Sequence, residues 1–320
     1  MLKKPFFSLF RIMPTKPKII VILGPTASGK SDLAVKIAKK NNGEVISADS
    51  RQVYYGLNVG SGKITKKEMA GVPHHLLDVA NPKRVFTVVQ YQKLAGKAIR
   101  DIIKRKKIPI ICGGTGFYID SLIHNYKLPE VPPDKKLRAK LEKKFTEELF
   151  KQLKKLDPRR AKNIDRYNKR RLIRALEIVI STKKPVPVPE DIGINQFNRH
   201  KSAAILKIGT KKQPEELKKL IYKRLIRRLK AGMIKEVENL HKKGVSWQRL
   251  DDLGLEYRYI SRYLRGLITK PKMIEILNKE ICRYAKRQMT WFKRDENIYW
   301  LDPAKNQNEA IGLVKKFVND

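Results

Sequence analysis

Eight residues near the amino end, Gly24-Pro25-Thr26-Ala27-Ser28-Gly29-Lys30-Ser31, carry two glycines, a lysine and a serine at the spacing G-x-x-x-x-G-K-[ST]. The glycines let backbone N–H groups turn toward an anion, and a following helix adds the positive end of its dipole. Lys30 would neutralise phosphate charge, and the Ser31 hydroxyl would help to hold Mg²⁺. A glycine-rich turn with no ligand is the bland alternative. Against it, the apolar run Ile19-Ile20-Val21-Ile22-Leu23 precedes the loop and the helical pattern Leu33 to Ala38 follows it. The motif points to a phosphate-bearing ligand without saying which one.

Two further segments could serve the same anion. Asp49-Ser50-Arg51-Gln52-Val53-Tyr54 follows a second apolar run; a carboxylate there could ligate Mg²⁺ through water or accept a proton. Capping its own loop is the structural alternative. Gly113-Gly114-Thr115-Gly116-Phe117-Tyr118 could offer N–H groups and a hydroxyl, although a tight strand-to-helix turn would use the same residues. The elements that must position them read as strands at 18–23, Glu44–Asp49 and Ile108–Cys112, with helices at 29–40 and Val88–Lys107 between them. Such alternation predicts an α/β fold, a P-loop NTPase-like parallel sheet flanked by helices. Ligands bind beyond the carboxyl ends of such strands, so the loops starting at Gly24, Asp49 and Gly113 should converge on one crevice.

The rest of the chain supplies the boundaries. From Pro129 to Arg166 it is charged and helical in pattern, with Leu137, Leu141, Phe145, Leu149 and Leu153 about four residues apart, which predicts a helical insertion domain. A helix beginning at Arg170 should return to the core, and Pro185, Pro187 and Pro189 should form a stiff extended segment. Ala203–Ile208 and Tyr299–Leu301 read as later strands, and roughly 214–294 as mainly helical. The division expected is an extension at 1–17, a catalytic core of 18–125 and 203–320 with C-terminal helices, and an insertion with its linker at 126–202. The helix from Pro271 should bury Ile274, Leu277, Ile281, Tyr284, Met289 and Phe292 and expose Arg283, Lys286, Arg287, Lys293 and Arg294.

The 320 residues hold 72 Lys+Arg against 31 Asp+Glu, a formal charge of +41, which exceeds what solubility requires and favours a polyanionic partner. No apolar stretch reaches the roughly 18 residues of a membrane span. Cys112 and Cys282 are too far apart in sequence to read as a zinc pair, and His74-His75 has no zinc spacing. The basic start, with Phe6, Phe7, Leu9 and Phe10, lacks a secretory cleavage pattern; it leaves open an organelle-targeting segment or translation from Met13. A cytoplasmic monomer is the expectation.

Six segments in this order resemble the tRNA dimethylallyltransferase (tRNA isopentenyltransferase) family: Gly24–Ser31, Asp49–Tyr54, His74–Asp78, Gly113–Tyr118, Arg170–Glu177 and Tyr284–Phe292. The resemblance implies transfer of a dimethylallyl group from its diphosphate to the exocyclic amine of the adenine 3′ of the anticodon in tRNA. It implies that Gly24, Pro25, Thr26, Ala27, Ser28, Gly29, Lys30 and Ser31 cradle the diphosphate, with Mg²⁺ held partly by Ser31. Asp49 would accept the proton of the amine, beside Lys30, while Thr26 and Thr115 orient the reactants. The tRNA contacts it implies are Asp49, Ser50, Arg51, Gln52, Thr115, Arg170, Arg171, Leu172, Ile173, Arg174, Tyr257 and Arg258, with the insertion gripping the anticodon stem-loop. Arg224, Arg227 and Arg228 match the start of a basic helix, and Arg228 would reach the diphosphate.

Two departures from the family pattern stand out. Leu253-Gly254-Leu255-Glu256-Tyr257-Arg258 keeps the residue types of a Gly-Tyr-Lys/Arg-Glu element with altered spacing, and helix 217–240 is about one turn short between Arg228 and Gly232. The rival readings are an adenylate isopentenyltransferase acting on a free nucleotide, a nucleotide kinase, and a non-catalytic RNA-binding protein.

Overall fold

The computed structural model describes residues 16–126, 128–129, 131–187 and 203–320. Met1–Thr15 and Pro189, which carried two of the expectations above, lie outside them. The elements in the first half are β1 (Lys18–Leu23), α1 (Lys30–Lys40), β2 (Gly43–Ser47), α2 (Lys66–Met69), β3 (His74–His75), α3 (Val88–Lys104), β4 (Ile108–Gly113) and α4 (Gly116–Ile123). Next come α5 (Lys135–Glu142), α6 (Thr146–Leu156), α7 (Pro158–Lys162) and α8 (Lys169–Thr182). The remainder comprises β5 (Ala204–Thr210), α9 (Pro214–Lys230), α10 (Met233–Lys242), α11 (Trp247–Leu253), α12 (Leu255–Leu264), α13 (Lys270–Phe292), β6 (Ile298–Leu301) and α14 (Gln307–Asn319).

Six parallel strands form one sheet in the order β3-β2-β4-β1-β5-β6. The continuous apolar run of β1 follows from its place between β4 and β5, with Ile22 level with Cys112 on one side and Ile208 on the other. Ile20, Ile22, Leu33, Ile37, Ile110 and Ile208 meet in one buried core with Ala310 and Val314 of α14. A second core joins Val53 and Leu57 to the helical part, through Leu225, Val237, Leu250, Tyr257, Leu277 and Ile281.

Charge inside the sheet is compensated. Glu44, 1 % exposed, accepts hydrogen bonds from Arg105, Lys107 and His75; the Arg105 guanidinium foremost holds its carboxyl well below the usual range. His74 bonds the Val72 carbonyl (2.8 Å) and His75 is the Glu44 partner, so the histidine pair is structural. Among the described residues no three His, Cys, Asp or Glu gather around a metal-sized site. No described helix is long and apolar enough to cross a membrane.

The chain divides into two compact units, one containing 16–123 and 203–320 and the other containing 124–187. The second unit has its own core of Leu141, Leu149, Leu153, Leu172, Ile173, Leu176 and Val179. Two expectations change here. α8 buries its apolar face within this unit, and Phe145 is 79 % exposed because it sits at the N-cap of α6 instead of on its stripe.

The 217–240 stretch also differs from its reading as a single helix. Gly232, at φ 91°, interrupts it, so α9 ends at Lys230 and α10 starts at Met233. On α13 the buried line is Met273, Leu277, Ile281, Ala285, Gln288 and Phe292, leaving Ile274, Tyr284 and Met289 half-buried. Arg283, Lys286, Arg287, Lys293 and Arg294 are exposed as expected.

Candidate active site

The phosphate loop leaves the carboxyl end of β1 and closes on the first turn of α1. Ala27 (φ 63°) and Gly29 (φ 86°) take left-handed conformations, which folds successive N–H groups into an anion-sized concavity. The fully buried Ser28 sets its hydroxyl 2.8 Å from the Pro25 carbonyl and 2.6 Å from Thr210 Oγ1 on β5. That hydroxyl is therefore part of the scaffold, and Ser28 can serve an anion only through its amide. Lys30 Nζ donates to the same Pro25 carbonyl at 2.9 Å. Burial lowers the Lys30 ammonium to about 8; Arg224 and Arg228 add to the depression, and Cys112 and Asp49 oppose it. Ser31 is exposed and lines the crevice.

The second and third loops meet the first. Asp49 Oδ1 accepts from the amides of Arg51 (2.8 Å) and Gln52 (3.3 Å), a cap that fixes the carboxylate at the crevice wall. β2 ends at Ser47, so Asp49 belongs to the loop and not to the strand. The Ser50 amide donates to Thr115 Oγ1 (3.1 Å) and the Thr115 amide to the Ala48 carbonyl (3.1 Å), which sews the two loops together. Arg51 Nε donates to the Leu253 carbonyl (2.6 Å), and Gln52 Nε2 to that of Gly62 (3.2 Å). Thr26, Lys30, Ser31, Asp49, Gly113 and Gly114 thus share the wall of one crevice of about 320 Å³.

Two cations from α9 close another side. Arg224 Nη1 donates to Thr26 Oγ1 (3.0 Å), and burial, with Arg228 nearby, lowers its guanidinium to about 10. Arg228, the residue singled out in the sequence for the diphosphate, bonds Glu256 (3.0 Å) and the Gly60 carbonyl (3.3 Å) while lining the crevice. Arg227 is exposed. Arg224 is therefore the cation in direct contact with the loop. Gln288 carried no assigned role in the sequence, yet it lies buried between the loops, with Oε1 on the Thr26 amide (2.9 Å) and Nε2 on the Gly114 carbonyl (2.8 Å). The signal available was a glutamine on the buried line of α13.

Comparison with known proteins gives the family. A family model described as IPP transferase matches residues 52–295. The tRNA dimethylallyltransferase of Acetivibrio thermocellus is 42 % identical over 306 residues, covering 94 % of this chain and 97 % of its own. The chain belongs to the IPP transferase family. Its fold is close to that of the Bacillus halodurans tRNA isopentenylpyrophosphate transferase (TM-score 0.70, 35 % identity, 95 % of this chain and 97 % of that one). It is also close to a eukaryotic dimethylallyltransferase acting on tRNA (TM-score 0.75, 27 % identity, 95 % and 80 %).

Seen as an IPP transferase, the chain corrects some of its implied RNA contacts. Leu172 (0 % exposed) and Ile173 (4 %) point into the core of the second unit and cannot touch a partner. Arg174 is tied to buried Glu177, which also takes Arg138 (2.7 Å). Arg170 and Arg171 are exposed. Tyr257 is 1 % exposed, and its hydroxyl donates to Glu236 (3.0 Å), whose carboxylate also accepts the amides of Asn58, Val59 and Gly60. Tyr257 thus braces the wall of the crevice that it also lines. Arg258 donates to the Asp251 carbonyl (2.9 Å) at the crevice rim.

Proposed function

We propose that this protein transfers a dimethylallyl group from dimethylallyl diphosphate to the N6 amine of the adenine 3′ of the anticodon in tRNA. One observation carries the reading: a polyanion cradle and a carboxylate share a single crevice. In the reaction the amine nitrogen bonds to the first carbon of the dimethylallyl group as that carbon's bond to oxygen breaks. Negative charge grows on the departing diphosphate, so fixed donors aimed at its oxygens lower the barrier. Loop amides, Lys30 and Arg224 are such donors. The Asp49 carboxylate, held by its two backbone bonds, accepts the proton that the amine loses.

Mg²⁺ fits this donor set. With Asp49 kept as the base, the exposed Ser31 hydroxyl gives one protein oxygen, and Mg²⁺ characteristically completes its shell with phosphate oxygens and water. Bound there, it would neutralise part of the leaving group's charge. The target base must leave its stack to reach the crevice. The exposed arginines of α13 and the excess of +41 support backbone tracking by a large polyanion. The reading carries with it a cytoplasmic monomer, checked by sedimentation at working concentration.

The test is incubation with labelled dimethylallyl diphosphate, Mg²⁺ and unmodified tRNA, with label expected on the RNA. Label on AMP alone would make the protein an adenylate isopentenyltransferase. Phosphate transfer from ATP to a small acceptor would make it a kinase.

A further inference from the structure

The phosphate loop has the consensus of triphosphate-binding proteins, yet its first half has few donors to give. Pro25 has no N–H. The Thr26 amide is closed by Gln288 Oε1 at 2.9 Å, and the Thr26 hydroxyl accepts from Arg224 at 3.0 Å. Gln288 cannot turn its amide over without setting N–H against N–H and C=O against C=O, since Nε2 is engaged by the Gly114 carbonyl at 2.8 Å. The side chain is 6 % exposed, and a Cβ at position 114 would collide with it, so the glutamine fits only because that residue is glycine. Backbone amides of the loop beyond Pro25 that are free for an anion are thereby confined to the stretch Ala27 to Ser31, next to the start of α1; the Thr26 hydroxyl keeps its own O–H, and Lys30 and Arg224 add charged donors from side chains.

We propose that Gln288 is a specificity-determining residue: by closing the Thr26 amide it shortens the row of donors, so the cradle favours a diphosphate over a triphosphate. A third phosphate would extend past the end of that row and meet an amide already satisfied. Recovering the amide would break both Gln288 bonds and leave the buried Gly114 carbonyl without its partner. The inference rests on reading the loop as a diphosphate cradle, and it adds how a loop of general type comes to select that ligand.

The probes are inorganic pyrophosphate and tripolyphosphate, titrated calorimetrically in Mg²⁺ buffer against full-length protein. Wild type should prefer pyrophosphate. Gln288→Met keeps the volume but frees the Thr26 amide, and it should shift the affinity ratio toward tripolyphosphate by about tenfold, the size of one hydrogen bond to a charged group. Gln288→Glu keeps an acceptor on Thr26 and adds a negative charge; it should weaken both ligands while retaining the preference for pyrophosphate. A purely structural glutamine would weaken both ligands equally in both variants, and an unchanged ratio in Gln288→Met overturns the proposal. Wild type preferring tripolyphosphate overturns the diphosphate reading as well. Failure of prenyl transfer with the ratios as expected removes only the identity of the organic group.

Discussion

The segments Gly24–Ser31 and Arg170–Arg174 both belong to the family pattern, but the structure uses them in different ways. The loop offers an anion its backbone, so neighbouring residues from Ala27 to Ser31 can take part whatever their side chains do; Ser28 has its amide to give while its hydroxyl braces the scaffold. A helix turns each successive residue by about 100°, so a run of five cannot share one face. Leu172 and Ile173 therefore go inward, Arg170 and Arg171 outward, and Arg174 to Glu177. A motif written as a run of letters thus marks a binding stretch in a loop, and only a face in a helix.

The comparison can be broken most directly at Asp49, a loop residue assigned a role for its side chain. Asp49→Ala should lower turnover by about 10²–10⁴-fold with tRNA affinity nearly intact; equal loss of both in a filter-binding assay would make the residue structural. Next in size, Leu172→Ala should cost about 2–5 kcal/mol of stability, read as a lower unfolding midpoint in denaturant. A mutant of wild-type stability with weakened RNA binding would return Leu172 to the interface.

Lys30 offers a test by pH. Its ammonium titrates near 8 in the free protein, and a bound anion raises that value. Through this group, pyrophosphate affinity should therefore be greatest below pH 8 and fall by up to about fivefold between pH 8 and 9. A flat profile would remove Lys30 from the cradle. The smallest effects sharpen the contrast of backbone and face. Ser28→Ala should leave pyrophosphate affinity within about twofold while costing about 1 kcal/mol of stability. Arg171→Ala should lower the salt slope of tRNA binding by about one.

Much of this was legible before any coordinates. β1 coincides with its expected residues because a strand buried on both faces must be apolar throughout. Convergence of the three loops followed from the ordering of strands in a parallel sheet. What was not legible depends on partners distant in sequence. Gln288 meets Thr26 and Gly114 across a tertiary contact, with no local signal beyond its place on a buried line. Arg224 and Arg228 look equivalent as letters, and only packing shows that one reaches Thr26 while the other pairs with Glu256. Phe145 kept helical spacing, but its helix begins one residue later.

The place of β1 in the sheet also has a consequence for biosynthesis. One of its edges pairs with β4, but the other pairs only with β5, and the Ser28–Thr210 contact closes over 182 residues. At roughly 5–20 residues per second on the ribosome, the most apolar strand waits about 10–40 s with a bare edge. The nascent chain is therefore most prone to mispairing while the insertion is being translated, and a chaperone would be of most use there.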